Sequence, residues 1–151
     1  MFYGASMLNK RLRDGEIFLR LDRTSEADPE KGYVPVYHFK ICRIEGDAEL
    51  GWIDLRIGHN RSTAFGGNIG YAVYEPFRGN HFAGKACRLL PELARKHGMR
   101  ALFIACAPEN EPSRRTCLYA GARLMDVVDI PEWHEMYAEG KRKACRYRLD
   151  L

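Results

Sequence analysis

Several things are scarce in this sequence. Its five cysteines (Cys42, Cys87, Cys106, Cys117 and Cys145) are odd in number and scattered, and none forms a C-x-x-C pair. That pattern predicts a reducing, cytoplasmic setting. No stretch approaches the roughly 18 apolar residues of a membrane span. Residues 1–13 lack the apolar run and cleavage pattern of a signal peptide, so no membrane partner is expected. The five histidines (His38, His59, His81, His97 and His134) show no metal-ligand spacing, which argues against a metal site. There is no internal repeat, low-complexity tract or linker, and 151 residues suit one domain over 1–151. An excess of one charge is missing too, since 24 Lys and Arg against 20 Asp and Glu leave +4. So mild a charge suits an anionic small ligand and does not demand nucleic acid. The basic stretch Lys141–Arg148 does not change this, because alternation in a terminal strand puts Arg146 and Arg148 on its solvated face.

What is present is an orderly run of short elements. Glu16–Leu21 reads as a strand and Thr24–Gly32 as a polar loop. Val34–Ile44 and Leu50–Ile57 read as an antiparallel hairpin across "IEGDAE". In its second strand Trp52, Asp54 and Arg56 face one way, with Ile53, Leu55 and Ile57 facing the other. Gly58–Gly67 reads as a loop and Ile69–Tyr74 as a strand. Ala83–His97 has helical spacing, with Ala86, Leu90, Leu93 and Ala94 on one face, Pro91 inside to kink it and Gly98 to stop it. Leu102–Cys106 reads as a buried strand. Asn110 caps a second helix that has Pro112 in its first turn and Gly121 beyond its end. Leu124–Ile130 and Ala144–Leu149 are two last strands, with a long loose segment between them. The order β-β-β-β-α-β-α-β-β predicts an α+β fold of two or three layers, with a mostly antiparallel front and a parallel β-α-β unit.

The informative segment is strand, then "EPFRGNHFAGKA", then helix. A strand that feeds a tight loop into a helix gathers unpaired N–H groups where the helix dipole adds partial positive charge. Such a place accepts a phosphate or pyrophosphate. Gly79 and Gly84 let backbone approach a ligand, and Arg78 and Lys85 add full charges. The loop is neither G-x-G-x-x-G nor G-K-[ST].

From Gly70 to Ala122 the chain resembles the GNAT family of N-acetyltransferases, and within it the ribosomal-protein N-terminal acetyltransferases. The family's loop, Gln/Arg-x-x-Gly-x-Gly/Ala, falls on Arg78-Gly79-Asn80-His81-Phe82-Ala83, with His81 replacing the middle glycine. Asn110, Ser113 and Gly121 fit the places that follow. The resemblance implies a three-layer acyl-CoA N-acyltransferase fold around a mixed, mostly antiparallel sheet with a central β-α-β unit. It also implies acetyl-CoA as cosubstrate and a primary amine, in a small molecule or at a peptide N-terminus, as acceptor. Backbone amides from Gly79 to Lys85 would hold the pyrophosphate, and Ala72–Tyr74 would pair with the pantetheine arm. Val73 and Tyr74 sit where the acetyl carbonyl is polarised, and Asn110 and Ser113 would touch the arm from the other side.

Two places depart from the family. The tyrosine that protonates the leaving thiolate is replaced by Cys117, with Tyr119 two residues late. The acid ahead of "Gly-Tyr" is replaced by Asn68, which leaves Asp54, Glu49 and Glu75 as other carboxylates for the general base. The catalytic candidates are therefore Asp54, Asn68 and Cys117. The two helices normally found between the first two strands are reduced to about a dozen polar residues. That shortened region leaves the acceptor side open, or completed by a second subunit in a homodimer, with Trp133, His134 and Tyr137 as a candidate lid. The rival readings are a CoA-binding module without turnover and, from the basic tail alone, a nucleic-acid-associated protein.

Overall fold

Buried side chains of strands and helices from both halves of the chain meet in one cluster of 26 residues, running from Leu8 to Tyr147. The computed structural model describes residues 1–151. Four strands, β1 (Ile17–Ser25), β2 (Val36–Arg43), β3 (Glu49–Arg56) and β4 (Ile69–Val73), form an antiparallel sheet in the order β1-β2-β3-β4. Three more, β5 (Ala101–Cys106), β6 (Arg123–Asp129) and β7 (Lys143–Asp150), form a second antiparallel sheet in the order β5-β7-β6. The alternation expected in β3 holds, since Ile53 and Leu55 are buried while Trp52, Asp54 and Arg56 are half-buried on the outer face.

Helix α3 (Phe82–Lys96) covers the inner face of the first sheet with Phe82, Ala86, Leu90, Leu93 and Ala94. It runs on through Pro91. Helix α4 (Glu111–Tyr119) starts at Asn110, whose Oδ1 accepts the Ser113 N–H at 3.2 Å. Both helices were legible in the sequence to within a residue or two.

Three short helices were not. Helix α1 (Ala5–Arg11) precedes β1 and buries Leu8, and Leu12 is buried just past its end. The i, i+4 spacing of those two leucines among good helix formers was the available signal. Helix α2 (Thr63–Gly66) lies in the expected Gly58–Gly67 loop. Helix α5 (Glu135–Ala138) lies in the segment expected to be loose. That segment is instead pinned. His134 is 3% exposed, its Nδ1 accepts the Met136 N–H at 3.1 Å, and its Nε2 donates to the Ser62 carbonyl at 3.0 Å. His134 therefore ties the segment to the start of α2 and is not an open lid. No helix is long and apolar enough to cross a membrane.

The expected parallel pairing between β4 and β5 is not a ladder. The chain meets β5 at one antiparallel bridge, between Gly67, just ahead of β4, and Ile104. Two bonds from Asn68 brace the join. Its N–H donates to the Phe103 carbonyl at 2.6 Å, and its Oδ1 accepts the Phe103 N–H at 2.9 Å. Its Nδ2 donates to the carbonyls of Arg56 (3.1 Å) and Gly58 (2.8 Å). Gly67 has φ +76, and a Cβ there would lie 2.8 Å from the Phe103 carbonyl oxygen, so both conformation and space require glycine.

Asn68 is fully buried. Replacing it by Ala removes three side-chain bonds and leaves the Phe103 N–H without its partner. We expect Asn68→Ala to cost about 2–4 kcal/mol of stability. Urea unfolding, read as a lower midpoint at unchanged slope, measures this.

Candidate functional site

The single join at Asn68 leaves a fork between β4 and β5, and α3 begins at the loop that follows β4. A 3₁₀ turn (Glu75–Phe77) leads into that loop. The amides of Gly79, Asn80, His81, Phe82, Ala83 and Gly84 find no acceptor in the chain, and the first bonded amide of the helix is that of Lys85, on the His81 carbonyl at 2.9 Å. Six consecutive free donors at the head of a 15-residue helix form a concentrated anion-binding surface. The loop is shaped from within. Asn80 Nδ2 donates to the Phe77 carbonyl at 3.0 Å, and Arg78 Nε donates to the Val73 carbonyl at 2.9 Å.

The charges are arranged differently from the sequence reading. Lys85 is held by Glu16, which keeps its ammonium pKa raised, so Lys85 is not free beside the loop. Arg43, which sequence reasoning missed, takes that place. Its guanidinium lies 5.8 Å from the centre of the Phe77 ring and 5.5 Å from that of Phe82, with no ion pair of its own. Only the return of β2 beneath the loop brings it there, and no local motif announces it.

Gly84 serves packing. A Cβ at Gly84 would lie 2.3 Å from Tyr119 Cδ1, so the absent side chain makes room for the Tyr119 ring. That ring stacks on His81, with centroids 4.5 Å apart and planes 7° apart. Its other contact is the Arg88 guanidinium, 4.2 Å from the ring centre. His81 holds φ +61, the left-handed conformation of the glycine it replaces. Phe82 and Ala83 are buried and can offer a ligand only their backbone.

Across the fork, the Tyr71 hydroxyl of β4 meets Ser113 Oγ of α4 at 2.6 Å. Burial pushes the Tyr71 hydroxyl pKa up, so it stays a neutral donor. Cys106 at the end of β5 and Cys117 of α4 complete this cluster. The neighbouring Cys117 thiol, with help from Ser113 and Arg114, draws the Cys106 pKa down against the opposing effect of burial. Cys117 is fully buried and its own pKa is raised, first by the neighbouring Cys106 and then by burial.

Of the other expected residues, Tyr74 is corrected. Its N–H already donates to the Leu50 carbonyl at 2.9 Å and its hydroxyl to Glu49, so it has no donor for a carbonyl in the fork. Alternation along β4 turns the Val73 N–H the other way, toward the fork. Asn110 serves as the cap of α4. Asn68 is corrected as well, because its amide makes the join and an amide cannot take a proton as a carboxylate does. Cys117 is core packing with no open path to a leaving thiolate. Asp54, half-buried on the outer face of β3, is tied to β2, since its Oδ1 accepts from His38 Nδ1 at 2.9 Å.

The family model described as Acetyltransferase (GNAT) domain matches residues 7–123. The uncharacterized N-acetyltransferase YycN of Bacillus subtilis (strain 168) is 28% identical over 96 residues, covering 62% of this chain and 60% of YycN. Among solved structures, RimJ of Mycobacterium smegmatis in complex with CoA-disulfide superposes with TM-score 0.60 at 19% identity, over 77% of this chain and 53% of that one. The microcin C7 self-immunity acetyltransferase MccE, in complex with acetyl-CoA and AMP, superposes with TM-score 0.60 at 22% identity, over 77% of this chain and 61% of that one. The chain thus spans less than two thirds of each of these proteins, and the two structures establish likeness of fold.

Two outcomes test the site. Gly84→Ala should destabilise the protein by about 1–3 kcal/mol without any ligand, because the new methyl meets the Tyr119 ring. Tyr119→Leu in the same chain should recover part of that loss, and a double-mutant cycle in urea reads the coupling. Cys106 is the one cysteine that is not buried. Its alkylation by iodoacetamide should rise with pH through a midpoint below that of a free cysteine, since only the thiolate reacts, while Cys87, with its pKa pushed up to about 12 by burial, stays unmodified. Peptide mass mapping across pH 5.5–9 checks both.

Proposed function

Because this chain belongs to the GNAT acetyltransferase family, we propose that it binds acetyl-CoA at the head of α3 and passes the acetyl group to a primary amine. The observation that carries this reading is the row of six free amides from Gly79 to Gly84 at the outlet of the β4–β5 fork. A diphosphate is a doubly charged acceptor of that size, and Arg43 and Arg78 lie beside it. The pantetheine arm extends β4 as an added strand in the fork, where alternation leaves the Val73 N–H unpaired to polarise the acetyl carbonyl. Ser113, already bonded to Tyr71, lines the opposite wall.

Transfer proceeds by direct attack in a ternary complex. The amine nitrogen bonds to the acetyl carbon as the carbon–sulfur bond breaks. Of the two protons the ammonium loses overall, one ends on the CoA sulfur and one reaches a base or solvent. A thiolate needs little help in leaving, since thiols titrate near 8.5, so a buried Cys117 in the tyrosine's place slows the reaction without abolishing it. Asp54, opposite Gly70 of β4, is the carboxylate proposed as base, and it acts through the His38 it holds. A second reading, CoA binding without turnover, is favoured by one observation: Asn68 and a buried Cys117 stand where the family's base and acid would be. Thiol release with a panel of amines separates the two.

Acetyl-CoA at 100 times its dissociation constant should stabilise the protein by about 2.7 kcal/mol, a rise of roughly 5–10 °C in melting temperature. Gly79→Asp puts a carboxylate against the diphosphate and should abolish that rise while leaving the unliganded melt within a few degrees. An undiminished shift in this variant would refute the site. Gly79 suits this test better than Gly84, whose substitution also disturbs Tyr119.

A further inference from the structure

On the outer face of the first sheet, the His38–Asp54 pair meets a third reactive side chain. His38 of β2 and Asp54 of β3 are cross-strand partners, and Ser25 ends β1 two residues beyond Arg23, the β1 partner of His38. His38 Nδ1 lies 2.9 Å from Asp54 Oδ1, and His38 Nε2 lies 2.8 Å from Ser25 Oγ. One tautomer satisfies both bonds. A carboxylate only accepts, so Nδ1 carries the hydrogen and Nε2 presents its lone pair to the serine O–H. The side chains of His38 and Asp54 are 15% and 21% exposed, shielded yet within reach of solvent.

Three further features surround this group. A cleft of about 240 Å³ borders the imidazole and the carboxylate, with Asp22, Arg23, Lys40 and Trp52 on its walls. The amides of Glu26 and Ala27, the two residues after Ser25, have no acceptor in the chain. Strand β1 is the edge of its sheet, so no neighbouring strand covers Ser25. Nucleophile, base and orienting acid at hydrogen-bond distances, with free amides following the nucleophile, are the parts of an acyl-transfer site.

We propose that Ser25 is an acyl-accepting nucleophile that hydrolyses small activated carboxylic esters, with His38 as its base and Asp54 as the residue that positions His38. Ser25 Oγ bonds to the ester carbonyl carbon as His38 Nε2 takes the hydroxyl proton. The ester carbon–oxygen bond then breaks, and His38 returns that proton to the departing oxygen. Water attacks the acyl-serine with His38 again as base, which releases the carboxylic acid and restores Ser25. The amides of Glu26 and Ala27 are the donors nearest in the chain for the developing oxyanion. Trp52 gives the cleft an apolar wall for the ester's carbon chain. None of this draws on coenzyme binding at α3.

The test uses the intact chain with a fluorophosphonate probe and with 4-nitrophenyl acetate. The probe should add covalently to Ser25, as located by peptide mass mapping. Ser25→Ala and His38→Gln should each lower ester turnover at least 100-fold. Asp54→Asn should lower kcat by a similar factor at unchanged KM, because the amide no longer imposes the Nδ1–H tautomer. A fluorophosphonate adduct absent from Ser25, or wild-type turnover in Ser25→Ala, overturns the proposal. Should Ser25→Ala fail to fold, the position of the adduct on the wild-type chain decides alone.

Discussion

Everything in the candidate site depends on how two strands are kept apart, and that rests on one buried side chain. Asn68 fastens β4 to β5 at a single point, with four bonds from its amide group and its backbone N–H. Were the two strands zipped along their length, their edge amides would be paired with each other. With one join, the edges of β4 and β5 diverge and leave donors and acceptors facing a gap. An asparagine suits this work because its planar amide both donates and accepts, and it meets two strands and a loop carbonyl at once. A carboxylate here would face the carbonyls of Arg56 and Gly58 with nothing to donate. The position where the family resemblance leads one to expect an acid therefore has a structural task in this chain.

The inner and outer faces of the first sheet follow from the same alternation. Inward residues of β1, β2 and β3 meet α3 and form the core. The outer face has no helix over it, since the interval between β1 and β2 contains none. An uncovered face would ordinarily carry only solvated charge. Here His38, Asp54 and Ser25 bond to one another across three strands. Register places them together, because cross-strand partners in an antiparallel sheet share a face.

Elements with long period signals were readable in the chain. The apolar stripe of α3, the Asn110 cap of α4 and the alternation in β3 all gave the right position and face. The site was readable where local backbone makes it, at the loop from Arg78 to Lys85. It was not readable where side chains from distant segments meet. Glu16 captures Lys85 across 69 residues, and nothing near Lys85 announces it. Arg43 reaches Phe77 and Phe82 only through the fold. His38 looked like a lone histidine, and Asp54 was a candidate base without a partner, because a pairing across strands has no signature in one strand. The short helices α2 and α5 fell below the length at which periodicity speaks.

His81 shows how a broken motif can keep its geometry. The glycine of the family's loop is useful because it accepts a left-handed backbone without cost, whereas a side-chain-bearing residue there costs about 1–2 kcal/mol. The imidazole stacks on Tyr119, and such a pair contributes about 0.5–1.5 kcal/mol. Arg88 over the same ring adds about 0.5–1 kcal/mol. These contributions are comparable to the strain, so the loop keeps the conformation that glycine would have adopted. Gly84 makes the arrangement feasible, because any side chain there would displace the ring on which His81 rests. The loop and the two helices are thus a coupled unit, in which Tyr119 from α4 holds the backbone that opens α3. A reading confined to the loop finds one glycine missing; the pair formed by His81 and Tyr119 explains why the amides still converge.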